Sequence, residues 1–229
     1  MNNSEKHARV IVFDVNETLL DIEILNPFFE RIFGDAGVMR QWFAELILYS
    51  QALTLSGNYS PFGQLAVAVL KMVATIKNVS LMETDLDDFK DHMGRLPAHR
   101  DAAPALEMLK SSGFRLVTLT NSASEAGRPV LQRAGLSSYF EKQFSVDAVK
   151  RFKPAPETYS TVASALGAAP GSLRLVATHT WDTLGAMAAG WKAALLTRPG
   201  NAPLPIGDQP DIVEKDLLAI AHRIISIDR

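Results

Sequence analysis

The sequence predicts an α/β fold in which a parallel sheet carries helices on both faces and a helical segment follows the first strand. Three observations support this prediction. They are short apolar runs typical of buried strands, helical patterns between those runs, and one long segment with helical patterns but no strand. The 229 residues suffice for one large domain, or for one domain that carries a smaller inserted domain.

Four short runs have the composition of strands buried on both faces, because each is almost continuous in apolar and β-branched residues. Two helical patterns lie between them and are followed by Gly113 and Gly167, and glycine is a favoured residue just beyond a helix end. Strands that alternate with helices imply a parallel sheet. The predicted strands cover residues 9–13, 114–119, 173–177 and 193–196, and the predicted helices cover residues 102–112 and 156–166.

The segment from about residue 20 to residue 94 holds long helical patterns and no convincing strand, so we predict an all-helical insertion. Within it, we predict a helix over residues 39–53 and a loop over residues 56–63. The apolar stripe of that helix has two interpretations: it packs the insertion's own core, or part of it covers a substrate pocket. The stripe consists of Met39, Trp42, Phe43, Leu46, Ile47 and Leu53.

The composition argues against several classes of function. Lys and Arg total 23 against 25 for Asp and Glu, so neither nucleic acid nor a membrane surface is an expected partner. The absence of cysteine excludes disulfides, thiolate metal sites and cysteine nucleophiles. The opening stretch MNNSEKHARVIVFD has an apolar run too short for a signal-peptide core, and glycine, proline and polar residues interrupt the uncharged residues 46–70. We therefore expect a cytoplasmic protein.

Polar residues follow the predicted strands at the sheet edge where the working groups of such folds gather. Lys153, in the stretch RFKPAPETY, lies just before the helix that Pro156 opens. A cation there opposes the helix dipole, so a carboxylate partner is the simplest reason for its position. The strand-end residues are Asp14 after the first strand, Thr120 and Asn121 after the second, and His179 and Asp182 after the third.

Asp14 alone has two interpretations, a capping residue that closes a turn or a catalytic carboxylate. The lysine, hydroxyl, amide and second acid predicted around it favour catalysis. A carboxylate nucleophile must be ionised, shielded from water and flanked by groups that stabilise the developing charge. Asp14 and Lys153 fit as such a pair.

Four stretches resemble the ordered motifs of the haloacid dehalogenase superfamily, and most closely its 2-haloacid dehalogenase branch. They are FDVNETLLD, TLTNS, RFKP and VATHTWDTLGA, and the match runs from about residue 10 to residue 200. The resemblance implies a Rossmann-like α/β core made of residues 1–18 and 95–229. It also implies that residues 19–94 form the helical cap domain of that family.

The resemblance assigns the catalytic roles residue by residue. Asp14 would be the nucleophile, and Thr18 would support it through a hydroxyl hydrogen bond. Lys153 would balance the charge of Asp14, and Asp182 would position or activate water. The implied product of the first step is an ester on Asp14, formed as halide leaves a small 2-haloacid, and water would then hydrolyse that ester.

The resemblance also implies a set of substrate contacts. Thr120 and Asn121 would hold the leaving group or the substrate carboxylate. Tyr159 matches a polar active-site position of the branch, although a helix tyrosine with its ring in the core is the competing interpretation. The remaining predicted contacts are Asn16, Phe43, His179 and Trp181.

Two departures from the phosphatases of this superfamily favour dehalogenation without a metal ion or another cofactor. Phosphatases carry a second Asp two residues after the nucleophile, where this chain has Asn16. They also use an acid in the last motif to hold magnesium, where this chain has Thr178. A phosphatase with atypical motifs, and a degenerate member that binds a small acid without turnover, are the alternative functions.

Three positions also depart from the dehalogenase branch. Phe43 stands where that branch has an arginine that engages halide or carboxylate; Arg40, one turn earlier, either reaches the same space or is a solvated surface residue. Ala177 and His179 replace a serine and an asparagine. His179 either transfers a proton or hydrogen-bonds its loop. Relatives are commonly dimers, and the apolar residues 65–73 either form such an interface or pack within the insertion.

Overall fold

The computed structural model describes residues 9–228. Within that range six strands form one parallel sheet in the order β3-β2-β1-β4-β5-β6. Every pair of neighbouring strands is parallel. The strands are β1 (Val10–Phe13), β2 (Arg115–Thr120), β3 (Lys142–Ser145), β4 (Leu173–Ala177), β5 (Lys192–Leu196) and β6 (Ile212–Glu214).

Strand β1 lies inside the sheet, with Val12 paired to Val117 of β2 on one side and to Leu175 of β4 on the other. All four of its residues are buried, as expected for a strand covered on both faces. The carboxyl ends of β1, β2 and β4 therefore meet at one sheet edge. Asp14 follows β1 there, and its backbone N–H donates to the Val176 carbonyl at 3.0 Å.

Helices separate the successive strands from β2 to β5, whereas β6 follows β5 without a helix between them. Between residues 23 and 94 the helices follow one another without a strand. The predicted helices over residues 102–112 and 156–166 are α5 and α7, and the one over residues 39–53 lies within α2. The described helices are α1 (Asn26–Phe33), α2 (Val38–Leu55), α3 (Phe62–Ile76), α4 (Glu83–Gly94), α5 (Ala102–Ser111), α6 (Ser124–Arg133), α7 (Pro156–Leu166), α8 (Thr180–Ala188) and α9 (Leu217–Asp228).

The predicted α/β class, parallel sheet and helical segment are confirmed, but β3 and β6 were not predicted. These two strands form the edges of the sheet, and all their residues except the buried Ile212 are partly or fully exposed. An edge strand does not need a continuous apolar run, so the composition of a buried strand does not detect it. The division into a core domain and a cap domain with bounds at residues 19 and 94 stays a prediction.

The apolar stripe of α2 was predicted either to pack the core of the helical segment or to cover a substrate pocket. Its two aromatic residues lie in different surroundings. Trp42 packs edge-on against Phe89 of α4, with ring centroids 5.2 Å apart, and lies 5.5 Å from Phe29 of α1. It therefore belongs to the interior of the helical segment. Phe43 instead lies 5.5 Å from the ring of His179, at the sheet edge that carries Asp14.

The apolar residues 65–73 pack within the chain, because Leu65, Val69, Leu70 and Val73 of α3 are all buried. The interpretation as a dimer interface is therefore wrong for these side chains. The homodimer itself stays a prediction. Among residues 9–228, no helix is both long and apolar enough to cross a bilayer.

Candidate active site

Asp14 lies at the end of β1 and is only 4% exposed. The Thr18 hydroxyl donates to its Oδ2 at 2.7 Å and accepts from the Thr178 backbone N–H at 3.0 Å. Thr18 thus links the loop after β1 to the end of β4 and fixes the Asp14 carboxylate. This geometry supports the predicted role of Thr18.

Lys153 is fully buried, and its ammonium group has three acceptors. Its Nζ donates to Asp14 Oδ1 at 2.8 Å, to Asp182 Oδ2 at 2.5 Å and to the Leu119 carbonyl at 3.0 Å. An ammonium group has three donors, so all of them are used. Burial acts to lower the pKa of Lys153, but Asp14 and Asp182 raise it above its ordinary value, so the group stays charged.

The surroundings of Asp14 keep it ionised. Burial acts to raise its pKa, but the nearby Lys153 and His179 bring the pKa well below its ordinary value of 3.8. Burial raises the pKa of Asp182 instead, and the negative charge of Asp14 adds to that rise against the lowering effect of Lys153. Two carboxylates that share one lysine thus have different pKa values, with Asp14 the more acidic.

Tyr159 lies with its ring in the interior and its hydroxyl group in the site. The ring packs edge-on against Trp191, with centroids 5.5 Å apart. The hydroxyl donates to Asp182 Oδ1 at 2.7 Å. The ring therefore lies in the core, and both oxygens of Asp182 accept a hydrogen bond, one from Lys153 and one from Tyr159. That Tyr159 contacts a substrate stays a prediction.

His179 is buried between two carboxylates. Its Nδ1 lies 3.2 Å from Asp14 Oδ2 and its Nε2 lies 2.9 Å from Glu17 Oε2. Burial acts to lower the pKa of His179, but hydrogen bonds and charges from Asp14 and Glu17 raise the pKa to about 9. At neutral pH both ring nitrogens thus carry a proton and donate. The described bonds of the ring go to Asp14 and to Glu17 in the loop after β1, and proton transfer by His179 stays a prediction.

The ring of His179 is held by aromatic neighbours. Trp181 stacks on it with centroids 4.9 Å apart and 17° between the planes, and Phe43 lies on α2 at 5.5 Å. The Trp181 ring is also 5.7 Å from the Lys153 Nζ. The structure thus brings Phe43 and Trp181, both predicted substrate contacts, next to the charged groups that surround Asp14.

Glu17 is the site residue that the sequence analysis missed. It is buried in the loop after β1 with a positive φ of 64°. Besides His179, its carboxylate accepts from Asn201 Nδ2 at 2.9 Å and from the Arg40 guanidinium group. Burial acts to raise the pKa of Glu17, but His179 and Arg40 bring it below the ordinary value. The one sequence signal was an acid inside the first motif, next to Thr18.

Arg40 is not simply a solvated surface residue, so that interpretation is wrong. Its side chain is 35% exposed and pairs with the buried Glu17. It also donates to the Pro199 carbonyl at 3.2 Å. The cation of α2 is therefore engaged by Glu17, and the structure describes no contact between Arg40 and Asp14.

The predicted substrate contacts after β1 and β2 lie at the same sheet edge. The Asn121 side-chain oxygen accepts from the Lys153 backbone N–H at 3.0 Å, and the Thr120 hydroxyl accepts from the Ser122 N–H at 3.1 Å. Asn16 Nδ2 lies 3.4 Å from the Ser122 hydroxyl. These bonds order the loops. That Thr120, Asn121 and Asn16 contact a substrate stays a prediction.

A cleft of about 660 Å³ opens beside these loops, between α3, α4 and α6. Its walls are mostly apolar. Asn16 and Ser122 lie among its lining residues, whereas Asp14 does not. Among residues 9–228, no three or more His, Asp and Glu side chains form a group that could hold a metal ion. That the protein works without a metal or another cofactor stays a prediction.

Comparisons with known proteins give concordant results. A family model described as haloacid dehalogenase-like hydrolase matches residues 8–173. The chain is 30% identical to (S)-2-haloacid dehalogenase 1 of Pseudomonas sp. strain CBS-3, over 83% of this chain and 85% of that protein. It is 27% identical to (S)-2-haloacid dehalogenase 2 of the same strain, over 91% of this chain and 92% of that protein. The crystal structure of an L-2-haloacid dehalogenase superposes with a TM-score of 0.91 at 25% identity, covering 95% of this chain and 99% of the other.

Proposed function

The chain belongs to the haloacid dehalogenase-like hydrolases, and from this premise we propose that it removes halide by hydrolysis from a small 2-haloacid. The observation that carries the proposal is the buried, ionised Asp14 carboxylate beside the Lys153 ammonium group at 2.8 Å. A carboxylate held in this way is an activated nucleophile. The relatives that match over most of their length are named as dehalogenases of 2-haloacids.

In the first step an oxygen of Asp14 attacks the carbon that bears the halogen. A carbon–oxygen bond forms, the carbon–halogen bond breaks, and the halide leaves with its electron pair. The product is a neutral aspartyl ester. Lys153 keeps the attacking carboxylate ionised and then remains paired with Asp182.

In the second step water attacks the carbonyl carbon of the Asp14 ester. The 2-hydroxy acid leaves, the Asp14 carboxylate is regenerated, and one proton is released. The hydroxyl oxygen of the product therefore comes from Asp14 in the first turnover, and the oxygen of water enters Asp14.

The charges of the site favour a substrate with one negative charge over a phosphate ester. Asp14, Glu17 and Asp182 face three cations, Lys153, Arg40 and protonated His179. A phosphate ester would add about two negative charges, which magnesium normally offsets. Thr178 stands where a phosphatase carries an acid, and its hydroxyl donates to the Leu196 carbonyl at 2.7 Å. The phosphatase alternative therefore has less support.

We propose that the substrate reaches Asp14 through the apolar cleft. Asn16 and Ser122 on its wall lie close to the end of β1. The other predicted substrate contacts are Thr120 and Asn121 after β2, and Phe43 and Trp181 beside the ring of His179. Exchange of Ala126→Trp would narrow the cleft and should raise KM with little effect on kcat. An unchanged KM for all accepted haloacids would contradict this route.

A single-turnover experiment in ¹⁸O-labelled water tests the function. With enzyme in excess over a short 2-haloacid such as 2-chloropropionate, the hydroxy acid should carry ordinary oxygen. The peptide that contains Asp14 should gain one ¹⁸O atom. Label in the product and none in Asp14 would contradict an ester on this residue, because water would then have displaced the halide directly.

Two controls complete the test. Asp14→Asn should abolish halide release, whereas Asp208→Asn, at an exposed acid outside the site, should leave it unchanged. Halide release should also survive a chelator. Release that required magnesium would contradict the predicted absence of a metal requirement.

A further inference from the structure

We propose that His179 is the general base that activates water for hydrolysis of the Asp14 ester, and that Glu17 is the positioning residue that orients its ring. This inference rests on the proposed function and concerns its second step. It gives a catalytic role to a residue that stands where the resembling enzymes have an asparagine.

The three side chains form a line of hydrogen bonds. His179 Nδ1 is 3.2 Å from Asp14 Oδ2, and Nε2 is 2.9 Å from Glu17 Oε2. Glu17 is in turn fixed by Asn201 and Arg40. A nucleophile within reach of a base that a third group orients is the arrangement that covalent catalysis requires.

The groups that contact the Asp14 carboxylate differ in whether they can accept a proton. Among residues 9–228, the side chains within hydrogen-bond distance of its oxygens are Thr18, Lys153 and His179. A threonine hydroxyl is a poor base, and once Asp14 is an ester the Asp182 carboxylate still holds the proton on Lys153. Histidine is the side chain among these whose charge changes near neutral pH.

Asp182, the residue that the family resemblance assigned to water, is less well placed. It is fully buried, its Oδ2 accepts from Lys153 and its Oδ1 accepts from Tyr159. Its contacts fix the position of the lysine. His179, in contrast, has a ring nitrogen that faces the carboxylate whose carbonyl carbon water must attack.

The charge change on Asp14 sets the protonation of His179 at each step. In the resting site both ring nitrogens donate to carboxylates, because the negative charge of Asp14 favours the imidazolium form. Ester formation removes that charge, while burial continues to disfavour the cation. The Nδ1 proton then leaves to solvent, and Nδ1 becomes an acceptor beside the ester carbonyl.

The remaining steps balance in atoms and charge. Water attacks the carbonyl carbon as its proton passes to Nδ1, which gives an imidazolium ion and a tetrahedral oxyanion. Collapse of the oxyanion expels the 2-hydroxy acid as an alkoxide, which takes the proton of the new carboxyl group. Asp14 is again a carboxylate and His179 is again doubly protonated, as in the resting site.

Rapid-quench kinetics with His179→Gln and 2-chloropropionate test the proposal, because glutamine neither titrates nor restores the asparagine of the resembling enzymes. We expect a burst of about one halide per active site, then turnover slowed by about 10² to 10⁴-fold, the usual contribution of a general base. Mass spectrometry of the quenched enzyme should find the ester on the peptide that contains Asp14. His222→Gln, at an exposed histidine of α9, is the matched control and should behave as wild type.

The outcomes separate the two proposals. If wild-type enzyme releases no halide and forms no ester, the proposed function fails. If wild type turns over but His179→Gln does so at the same rate without accumulating the ester, the base is another group and this inference is overturned. Loss of the halide burst in a folded variant would also overturn it, because His179 would then act in ester formation.

The Glu17→Gln variant tests the positioning role independently. Hydrolysis of the ester requires neutral His179, so its rate should rise with pH through the pKa of that ring in the ester form. Without the negative charge of Glu17 that pKa falls, and the rising limb should move to lower pH together with a lower maximum rate. If the rising part of the pH–rate profile did not shift in Glu17→Gln, Glu17 would not orient the base and would have only a structural role.

Discussion

Lys153 Nζ lies 2.8 Å from Asp14 Oδ1, although 139 residues separate the two along the chain. The contact forms because β1 and the loop before α7 meet at the carboxyl edge of one sheet. Lys153 also binds Asp182 of α8. One buried cation therefore joins three separate stretches of sequence, and we expect both activity and stability to depend on it.

Replacement of Lys153 by methionine should abolish activity and destabilise the fold. Two buried carboxylates would lose their shared cation, and the pKa of Asp14 would rise. Removing one partner of a buried ion pair typically costs about 3–5 kcal/mol. We expect halide release to fall below detection and the free energy of unfolding, measured by urea denaturation, to fall by that amount. Lys215→Met, at an exposed lysine, is the control. If Lys153→Met retained activity, the ion pair between Lys153 and Asp14 would not be needed for catalysis.

Tyr159→Phe should separate the role of the hydroxyl group from that of the ring. The ring contact with Trp191 is kept, while the 2.7 Å bond to Asp182 is lost. A buried acceptor without its donor costs about 1–3 kcal/mol of stability. Halide release should fall less than in Lys153→Met, because the lysine remains. Tyr49→Phe, at an exposed tyrosine, is the control and should change neither stability nor halide release. If Tyr159→Phe also changed neither, the bond between Tyr159 and Asp182 would contribute nothing.

Arg174→Met should lower stability without changing catalysis. Arg174 is fully buried near the amino end of β4, away from the edge that carries Asp14. Its Nε donates to Asp228 Oδ2 at 2.6 Å and its Nη2 to Asp211 Oδ2 at 2.9 Å. Loss of the guanidinium group should cost about 3–5 kcal/mol, which the double variant with Asp228→Leu should partly recover. Activity per folded molecule should match wild type, and a large fall in kcat would show that β4 transmits changes to the site.

The sequence predicts the elements and residues whose roles are set by local pattern. Strand β1 was found because all four of its residues are apolar, and Asp14, Thr18, Lys153 and Asp182 were found as strand-end or motif residues. Edge strands β3 and β6 were not found, since partial exposure removes the apolar run. The burial of Arg174 and its ion pairs were not predicted either. The apolar residues around it identify the strand, but they do not indicate that the arginine is buried with acidic partners.

The partners of side chains were harder to predict than their positions. The sequence shows that His179 departs from the family pattern. Its pairing with Glu17 was not predicted, because the two residues lie on different loops, 162 residues apart, and no sequence spacing indicates that these loops meet. Glu17 is a common residue in a loop, and only its burial distinguishes it. Arg40 was interpreted as a solvated surface residue for the same reason. Its guanidinium group pairs with the buried Glu17, and nothing in the sequence marks Glu17 as buried.

The stability of the protein should fall as the pH rises from about 6.5 to about 9, and His179 should be the cause. Its pKa is 6.5 in the unfolded chain and about 9 in the folded protein, where it faces Asp14 and Glu17 between the rings of Phe43 and Trp181. A raised folded-state pKa gives stability that is fully present below the unfolded value and is lost as the pH passes the folded value. The shift corresponds to at most about 3 kcal/mol.

Urea denaturation of wild type and His179→Gln at several pH values between 6 and 10 tests this. The free energy of unfolding of wild type should decline over that range, and that of the variant should decline much less, because glutamine does not titrate. Asp14 affects stability at acidic pH instead. Because its pKa is lowered in the folded protein, its ionised carboxylate stabilises the fold above pH 3.8, and this stabilisation is lost as the pH falls below that value. If the two proteins declined in parallel above pH 6.5, His179 would not be charged in the resting site. The deprotonation that follows ester formation would then be unnecessary, because the ring would already be neutral before the substrate binds.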